Sequence, residues 1–256
     1  MVVDAIPRIV GFVYAIVLAP ALILLWRSGR ITRRRALPLL AVSAVLGFLI
    51  FAPMAPYQLQ LLVAGDLAGL DAPVALVLGG LAFFVVVALV GGRTFCGHLC
   101  PVGAVQEILS LAGYARVGRT RKKETIVLRS VVFAAVLLAG LLFSENILGA
   151  LGLEDFFFLN VTSVSFFVFA ALMILGVAVY RPFCRVICPY GAVLALAAAQ
   201  AQYRFRRTDL CIKCRKCEKA CPVDEAKESD RKVECYMCGR CVEVCPVEGA
   251  LRYARR

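Results

Sequence analysis

Long apolar runs separated by short polar stretches dominate the first 180 residues of the chain. Five of them approach the roughly 17–25 residues that a helix needs to cross a hydrocarbon core. These runs are Ile9–Trp26, Ala36–Ala52, Val74–Val90, Ile126–Phe143 and Val161–Tyr180. The pattern predicts an all-α polytopic membrane helix bundle of about five transmembrane helices. A shorter apolar segment, Tyr57–Ala64, is expected to lie at the outer interface or to re-enter.

Basic residues gather in alternate connections between the runs. The 27–35 loop carries five, the 91–125 loop six, and the chain from residue 181 onward sixteen, whereas segments 53–73 and 144–160 have none. Lys and Arg mark the cytoplasmic side of membrane proteins. We therefore expect a multi-pass protein of the cytoplasmic membrane, with the N-terminus outside and the C-terminal region inside. Arg129, near one end of the fourth run, is expected to snorkel to the interface.

Composition changes abruptly near residue 203. The 256 residues are 61% hydrophobic and 18% charged, which excludes an ordinary soluble enzyme. The predicted domains are a transmembrane helical domain, 1–203, and a small cytoplasmic α+β domain, 204–256. Since membrane topology accounts for the net charge of +12, nucleic acid is not expected as a partner, whereas membrane lipid is.

A repeat at an offset of 88 residues places the same motif after two of the apolar runs. Arg-x-Phe-Cys-x3-Cys-Pro-x-Gly-Ala-Val occurs at 93–105 and again at 181–193. The repeat suggests that the two thiol pairs face each other. Their cysteines could then hold a third iron–sulfur cluster, act as a redox dithiol couple, or merely pack a helix end. They are Cys96, Cys100, Cys184 and Cys188. His98, the only histidine, aligns with Val186 and is therefore not expected to be a ligand.

The C-terminal region contains two copies of Cys-x2-Cys-x2-Cys-x3-Cys-Pro at an offset of 24. In this bacterial ferredoxin pattern the fourth cysteine of each run binds the cluster of the other run. The first predicted [4Fe–4S] cluster has the ligands Cys211, Cys214, Cys217 and Cys245. The second has the ligands Cys235, Cys238, Cys241 and Cys221. Two zinc sites are the alternative, but zinc sites normally separate two cysteine pairs by a longer loop.

Together the two motif classes resemble those of the NapH-type membrane polyferredoxins, the quinol-dehydrogenase membrane components associated with periplasmic nitrate reductase. Relatives of that family include the membrane part of NosR and the CcoG-type iron–sulfur proteins. The resemblance extends from about Val74 to the C-terminus. It implies a multi-span protein that passes electrons between the quinone pool, or an analogous membrane carrier, and other redox protein subunits.

Two functional hypotheses follow. In the first, the chain is the electron-transfer subunit of a quinol dehydrogenase or a similar oxidoreductase complex. In the second, it is an assembly or redox-homeostasis factor whose ferredoxin clusters supply electrons for reducing a metal or a disulfide during maturation of a partner enzyme. A sensor of oxygen or iron is a weaker alternative. The sequence contains neither Gly-x-Gly-x-x-Gly nor a P-loop motif, and it identifies no catalytic residue.

Overall fold

The computed structural model describes residues 2–70, 72–112 and 121–256, with side chains from Ile9 onward. Asp71, Arg116 and Arg119, which contribute to the charge pattern, lie outside the described residues. The helices are α1 (Val2–Arg27), α2 (Arg33–Ile50), α3 (Ala55–Ala64), α4 (Val74–Gly91), α5 (Pro101–Ala112), α6 (Lys122–Phe143), α7 (Ile147–Ala150), α8 (Leu153–Phe157), α9 (Val164–Ile174), α10 (Pro189–Ala198), α11 (Lys216–Ala220) and α12 (Arg240–Glu243). Strands β1 (Tyr203–Arg207) and β2 (Leu251–Arg255) pair antiparallel.

Three helices, α1, α4 and α6, are long and apolar enough to cross a membrane. Helices α2 and α3 pass the same test as a pair, although they meet at a bend of 44° and form either one broken span or a re-entrant loop. Large apolar side chains cover the outside of the bundle, with Leu49, Leu142 and Val164 at least 70% exposed. Such continuous apolar exposure is typical of lipid contact. The chain is a membrane protein with a small C-terminal ferredoxin domain.

The fifth predicted span is shorter than the sequence suggested, and three to four segments are long enough to cross by length and composition. The run Val161–Tyr180 forms α9, of 11 residues, and a 3-10 turn of three residues, Leu175–Val177. At 1.5 Å per residue these would reach about 21 Å, short of a hydrocarbon core of about 30 Å. The chain then turns at Arg181, whose φ of 50° directs it into the second thiol motif.

The ferredoxin domain packs against one end of the helical bundle. The Trp26 ring at the end of α1 meets the Phe205 ring of β1 edge-on, with centroids 5.2 Å apart. Close by, Arg33 at the start of α2 forms an ion pair with Glu243 of α12 at 2.8 Å. The first strand begins at Tyr203, next to the domain boundary predicted from composition.

Arg129 does not reach an interface, contrary to the sequence-based expectation. Its side chain is 6% exposed and forms an ion pair with Glu234 of the ferredoxin domain. The Glu234 carboxylate supplies the counter-charge that a buried guanidinium group requires. Arg129 therefore helps to join the two parts of the chain.

Candidate functional site

Both copies of the repeated motif fold into the same local structure, a π-helical turn followed by a helix. In the first copy, Cys100 N–H donates to the Phe95 carbonyl at 2.9 Å, and in the second Cys188 N–H donates to the Phe183 carbonyl at 2.9 Å. The proline after each turn, which has no N–H to donate, begins the next helix, α5 or α10. This wide turn is a common local feature of functional sites.

The four thiols of the repeats converge. Their residues are only 3–6% exposed and belong to one hydrophobic core. Burial and the nearby thiols of Cys184 and Cys96 raise the pKa of Cys100. Burial raises the pKa of Cys184 to about 12, with Cys96 contributing in the same direction. Burial raises the pKa of Cys188, and the three other thiols contribute in the same direction. All four thiols therefore lie close enough to influence one another electrostatically.

An arginine from each motif reaches across to the other motif. Arg181 donates from Nη1 to the Cys96 carbonyl and from Nη2 to the Gly97 carbonyl, at 2.9 Å for the latter. Arg93 donates from Nη2 to the Cys184 carbonyl at 3.4 Å. Both side chains are fully buried. These reciprocal contacts hold the two turns face to face, as the repeat predicted.

The eight cysteines of the ferredoxin domain line two cavities. One cavity has Cys211, Cys214, Cys217 and Cys245 on its wall. The other has Cys221, Cys235, Cys238 and Cys241 on its wall. Each cavity thus takes three cysteines from one run and one from the other. The structure brings together the residues that the sequence grouped, and their role as cluster ligands stays a prediction.

Several hydrogen-bond donors lie next to cysteine sulfurs in both parts of the site and would stabilise them as thiolate ligands. The backbone N–H of Glu225 donates to Cys221 Sγ at 3.2 Å, and that of Gly191 donates to Cys188 Sγ at 3.1 Å. Arg207 approaches Cys217 Sγ at 3.7 Å. Thiolate sulfurs accept such bonds more strongly than neutral thiols do. No disulfide joins any of the twelve cysteines. This donor set fits iron–sulfur clusters.

A loop of the ferredoxin domain packs on the two thiol motifs of the membrane domain. Tyr236, between Cys235 and Cys238, places its ring 4.2 Å from the Arg93 guanidinium and 4.7 Å from that of Arg181. Its carbonyl oxygen would lie only 2.1 Å from a Cβ at Gly97, so that only glycine admits this approach. The second ferredoxin cavity and the membrane thiols are therefore adjacent.

Two buried carboxylates bind the domains together. Glu107 of α5 accepts from Arg240 of α12 at 2.8 Å and also pairs with Arg181 at 3.1 Å. Burial alone would raise the pKa of Glu107, but these two guanidinium groups outweigh it and lower the pKa to about 2. Glu234 of the ferredoxin domain pairs in turn with Arg93 at 3.1 Å and with Arg129.

His98 lies in the first π-turn without belonging to the ring of thiols. His98 is 2% exposed, and its imidazole packs against the tilted ring of Trp26 with ring centroids 6.2 Å apart. Burial and the nearby Arg181 charge lower the pKa of His98 to about 4, so the ring is neutral at pH 7. Among the described residues, no group of three or more His, Cys, Asp or Glu is arranged to hold a single metal ion.

Sequence comparison assigns both parts of the site to iron–sulfur families. A 4Fe-4S binding domain family matches residues 73–123 and 161–207, which contain the two repeats. A 4Fe-4S dicluster domain family matches residues 203–246. The chain is 27% identical to the ferredoxin-type protein NapH of Haemophilus influenzae, over 68% of this chain and 63% of that protein. In both its parts the chain is thus similar to the NapH-type membrane polyferredoxins.

Other relatives show similar levels of identity. The putative electron transport protein YccM of Escherichia coli is 29% identical over 68% of this chain, and protein NirI of Paracoccus denitrificans is 32% identical over 52%. The chain spans about half the length of YccM (54%) and about a fifth of the length of NirI (21%). No solved structure matches it. The matched domains and the candidate spans make this chain a membrane protein with 4Fe-4S binding domains.

Proposed function

We propose that this protein relays electrons between a membrane carrier, a quinol or an analogue, and redox partner proteins. The observation that carries the proposal is the convergence of four buried thiols, beneath a loop of the ferredoxin domain, at one end of the membrane helices. Each [4Fe–4S] cluster, when bound, takes up or releases one electron at a time. We propose three such clusters.

The chain's own residues would hold these three groups close together. Cys96, Cys100, Cys184 and Cys188 would hold the cluster nearest the membrane. The two ferredoxin cavities would hold the other clusters, through the crossed ligand sets predicted from the sequence. Tyr236, which lies between Cys235 and Cys238, packs on both motif arginines and so connects the second cavity to the membrane thiol motifs. Close packing around such a site limits solvent access and thereby tunes its redox potential.

The burial of the membrane thiols favours this relay over a thiol-based reductase or assembly factor. A dithiol that reduces a protein disulfide or a metal ion must be open to attack and hold a thiolate. Here the four residues are 3–6% exposed, and burial raises the pKa of Cys184 to about 12. A bound metal cluster displaces the thiol protons in any case, so burial does not hinder ligation.

The sidedness that we propose follows from the contacts of the basic segments. Arg33 pairs with Glu243, and Lys122, at the start of α6, pairs with Glu225 at 2.9 Å. These basic ends therefore lie on the side of the ferredoxin domain, which the positive-inside rule makes cytoplasmic. The beginning of α1 then lies outside. Cysteines introduced one at a time at exposed Arg34 and Leu67 can be treated with an external, membrane-impermeant thiol reagent. We expect the cysteine at position 34 to be protected and the cysteine at position 67 to be labelled.

The relay can be tested in lipid nanodiscs under anaerobic conditions. We expect that a reduced quinone analogue bleaches the visible absorbance of the oxidised protein. Cys100→Ser should leave the ferredoxin domain's own absorbance intact and slow this bleaching at least tenfold. Cys100→Ser that is bleached at the wild-type rate would contradict the relay. The direct reduction of both proteins by dithionite provides the control for intact ferredoxin clusters.

A further inference from the structure

The buried arginines of the two repeats have no carboxylate partner within their own motifs. Arg93 and Arg181 occupy the same repeat position and are both 0% exposed. Each reaches the backbone of the opposite motif, at Cys184 or at Cys96 and Gly97. An arginine that only tied two turns together could remain near the surface. Complete burial of two guanidinium groups beside four thiols requires a compensating negative charge.

The carboxylates of the surrounding network supply only part of that charge. In the described part of the chain, ion pairs connect four buried guanidinium groups with two buried carboxylates: Arg93, Arg129, Arg181 and Arg240 with Glu107 and Glu234. Four positive charges against two negative charges leave an excess of two. Because uncompensated buried charge is expensive, the network should be completed by further negative charge close to these arginines.

We propose that Arg93 and Arg181 are the counter-charges of the iron–sulfur cluster held by the four membrane thiols, with each repeat's arginine serving the other repeat's thiol pair. The inference rests on the third cluster of the proposed function. An oxidised four-iron cluster with four thiolate ligands is a dianion, whereas four neutral thiols carry no charge. Loading the membrane site therefore places negative charge next to Arg93 and Arg181, and the arginines position the thiolate set as well as neutralising it.

Tyr236 explains how two like charges are held so near each other. Both guanidinium groups lie over its ring, at 4.2 and 4.7 Å from the centroid. The face of an aromatic ring carries negative potential and attracts a cation. A planar guanidinium can stack on the ring and donate to a carbonyl at the same time, which an ammonium group cannot do. The same ring belongs to the ferredoxin loop, so the counter-charges also mark where that domain docks.

The test compares charge removal with charge retention in the full-length protein. Arg93→Gln, Arg181→Gln, Arg93→Lys and Arg181→Lys are purified anaerobically, and iron and acid-labile sulfide per chain are measured beside an EPR-monitored redox titration. Arg34→Gln, which removes a guanidinium that is 89% exposed, is the matched control. Removal of a positive charge destabilises the reduced, more negative cluster. Its electron affinity should therefore fall at least tenfold, about 59 mV towards negative potential for one electron.

The expected result is the same for the two arginines, because their positions are equivalent. Each Gln variant should shift the reduction potential of the membrane cluster to more negative values. Alternatively, it should lose the membrane cluster's irons, about four, and keep about eight irons in the ferredoxin domain. Each Lys variant should keep more of the cluster than the matching Gln variant, and Arg34→Gln should match the wild type. Unchanged iron and potential in both Gln variants, or equal loss in the Lys and Gln variants, would overturn the inference.

The failure of the inference can be told apart from the failure of the proposed function. If the wild-type protein itself holds about eight irons, the third cluster does not exist and the relay as proposed is wrong. If it holds about twelve but the arginine variants behave as the control does, only the counter-charge role is wrong. If the four membrane thiols hold zinc instead of an iron–sulfur cluster, the arginines would still serve as counter-charges, but the electron relay would be refuted.

Discussion

Replacement of Glu107 by glutamine should loosen the ferredoxin domain from the membrane helices. Glu107 is 3% exposed and accepts hydrogen bonds from Arg181 and Arg240. Arg240 belongs to the ferredoxin domain and lies 2.8 Å from the Glu107 carboxylate. The amide retains the shape but leaves two buried guanidinium groups without their carboxylate. Loss of one side of a buried ion pair costs about 3–5 kcal/mol. The docking equilibrium should therefore fall by roughly a hundredfold to several-thousandfold.

The single tryptophan provides the assay. Trp26 is 5% exposed and its ring meets Phe205 of the ferredoxin domain edge-on at 5.2 Å, so undocking exposes the indole to solvent. Its fluorescence emission should then move to longer wavelength. Urea titration of the protein in detergent micelles, followed by this emission, gives the free energy of undocking by linear extrapolation. We expect Glu107→Gln to lower it by about 3–5 kcal/mol.

Glu243→Gln is the matched control. Glu243 also joins the ferredoxin domain to a membrane helix, through Arg33 at 2.8 Å, but the two side chains are 35% and 25% exposed. Water screens this pair, so its loss should cost about 0–1 kcal/mol. Equal changes in the two variants, or a change below about 1 kcal/mol for Glu107→Gln, would refute the argument that the buried network holds the domains together.

Three further substitutions test the same interface and the ligand sets. Gly97→Ala should displace the Tyr236 loop and lower the urea midpoint of Trp26 emission, whereas Gly79→Ala, with nothing within 4 Å of its Cβ, should not. Tyr236→Phe should be neutral or stabilising, since the buried hydroxyl has no hydrogen-bond partner among the described residues, whereas Tyr236→Ala should cost about 3–5 kcal/mol on the same urea scale. Cys221→Ser should alter the same EPR signal as Cys238→Ser if the crossed ligand set is right, and different signals would contradict it.

The sequence predicted the parts of the site that repeat. An offset of 88 residues was enough to expect the two thiol pairs to face each other, because equivalent segments follow equivalent spans. The same repeat also contained the signal for Arg93 and Arg181, which occupy one motif position in both copies. Their burial was not expected, because a basic residue at the end of a span is normally interpreted as a topological marker. Only the structure shows that both are fully buried.

Tertiary contacts account for what the sequence could not give. Hydropathy marks Val161–Tyr180 as one apolar run, but it does not register the 3-10 turn at Leu175–Val177 that ends the helix early. Likewise, Arg129 has a partner, Glu234, more than a hundred residues away. No local pattern connects these two residues. Predictions of helix existence therefore held better than predictions of helix length or of side-chain partners.

The most direct test of the account is the iron and acid-labile sulfide content of the anaerobically purified protein. It should be measured in parallel for the wild type and for a variant with serine at Cys96, Cys100, Cys184 and Cys188. The account predicts about twelve irons per chain in the wild type and about eight in the variant, because the membrane cluster alone is lost. About eight irons in both proteins would contradict it.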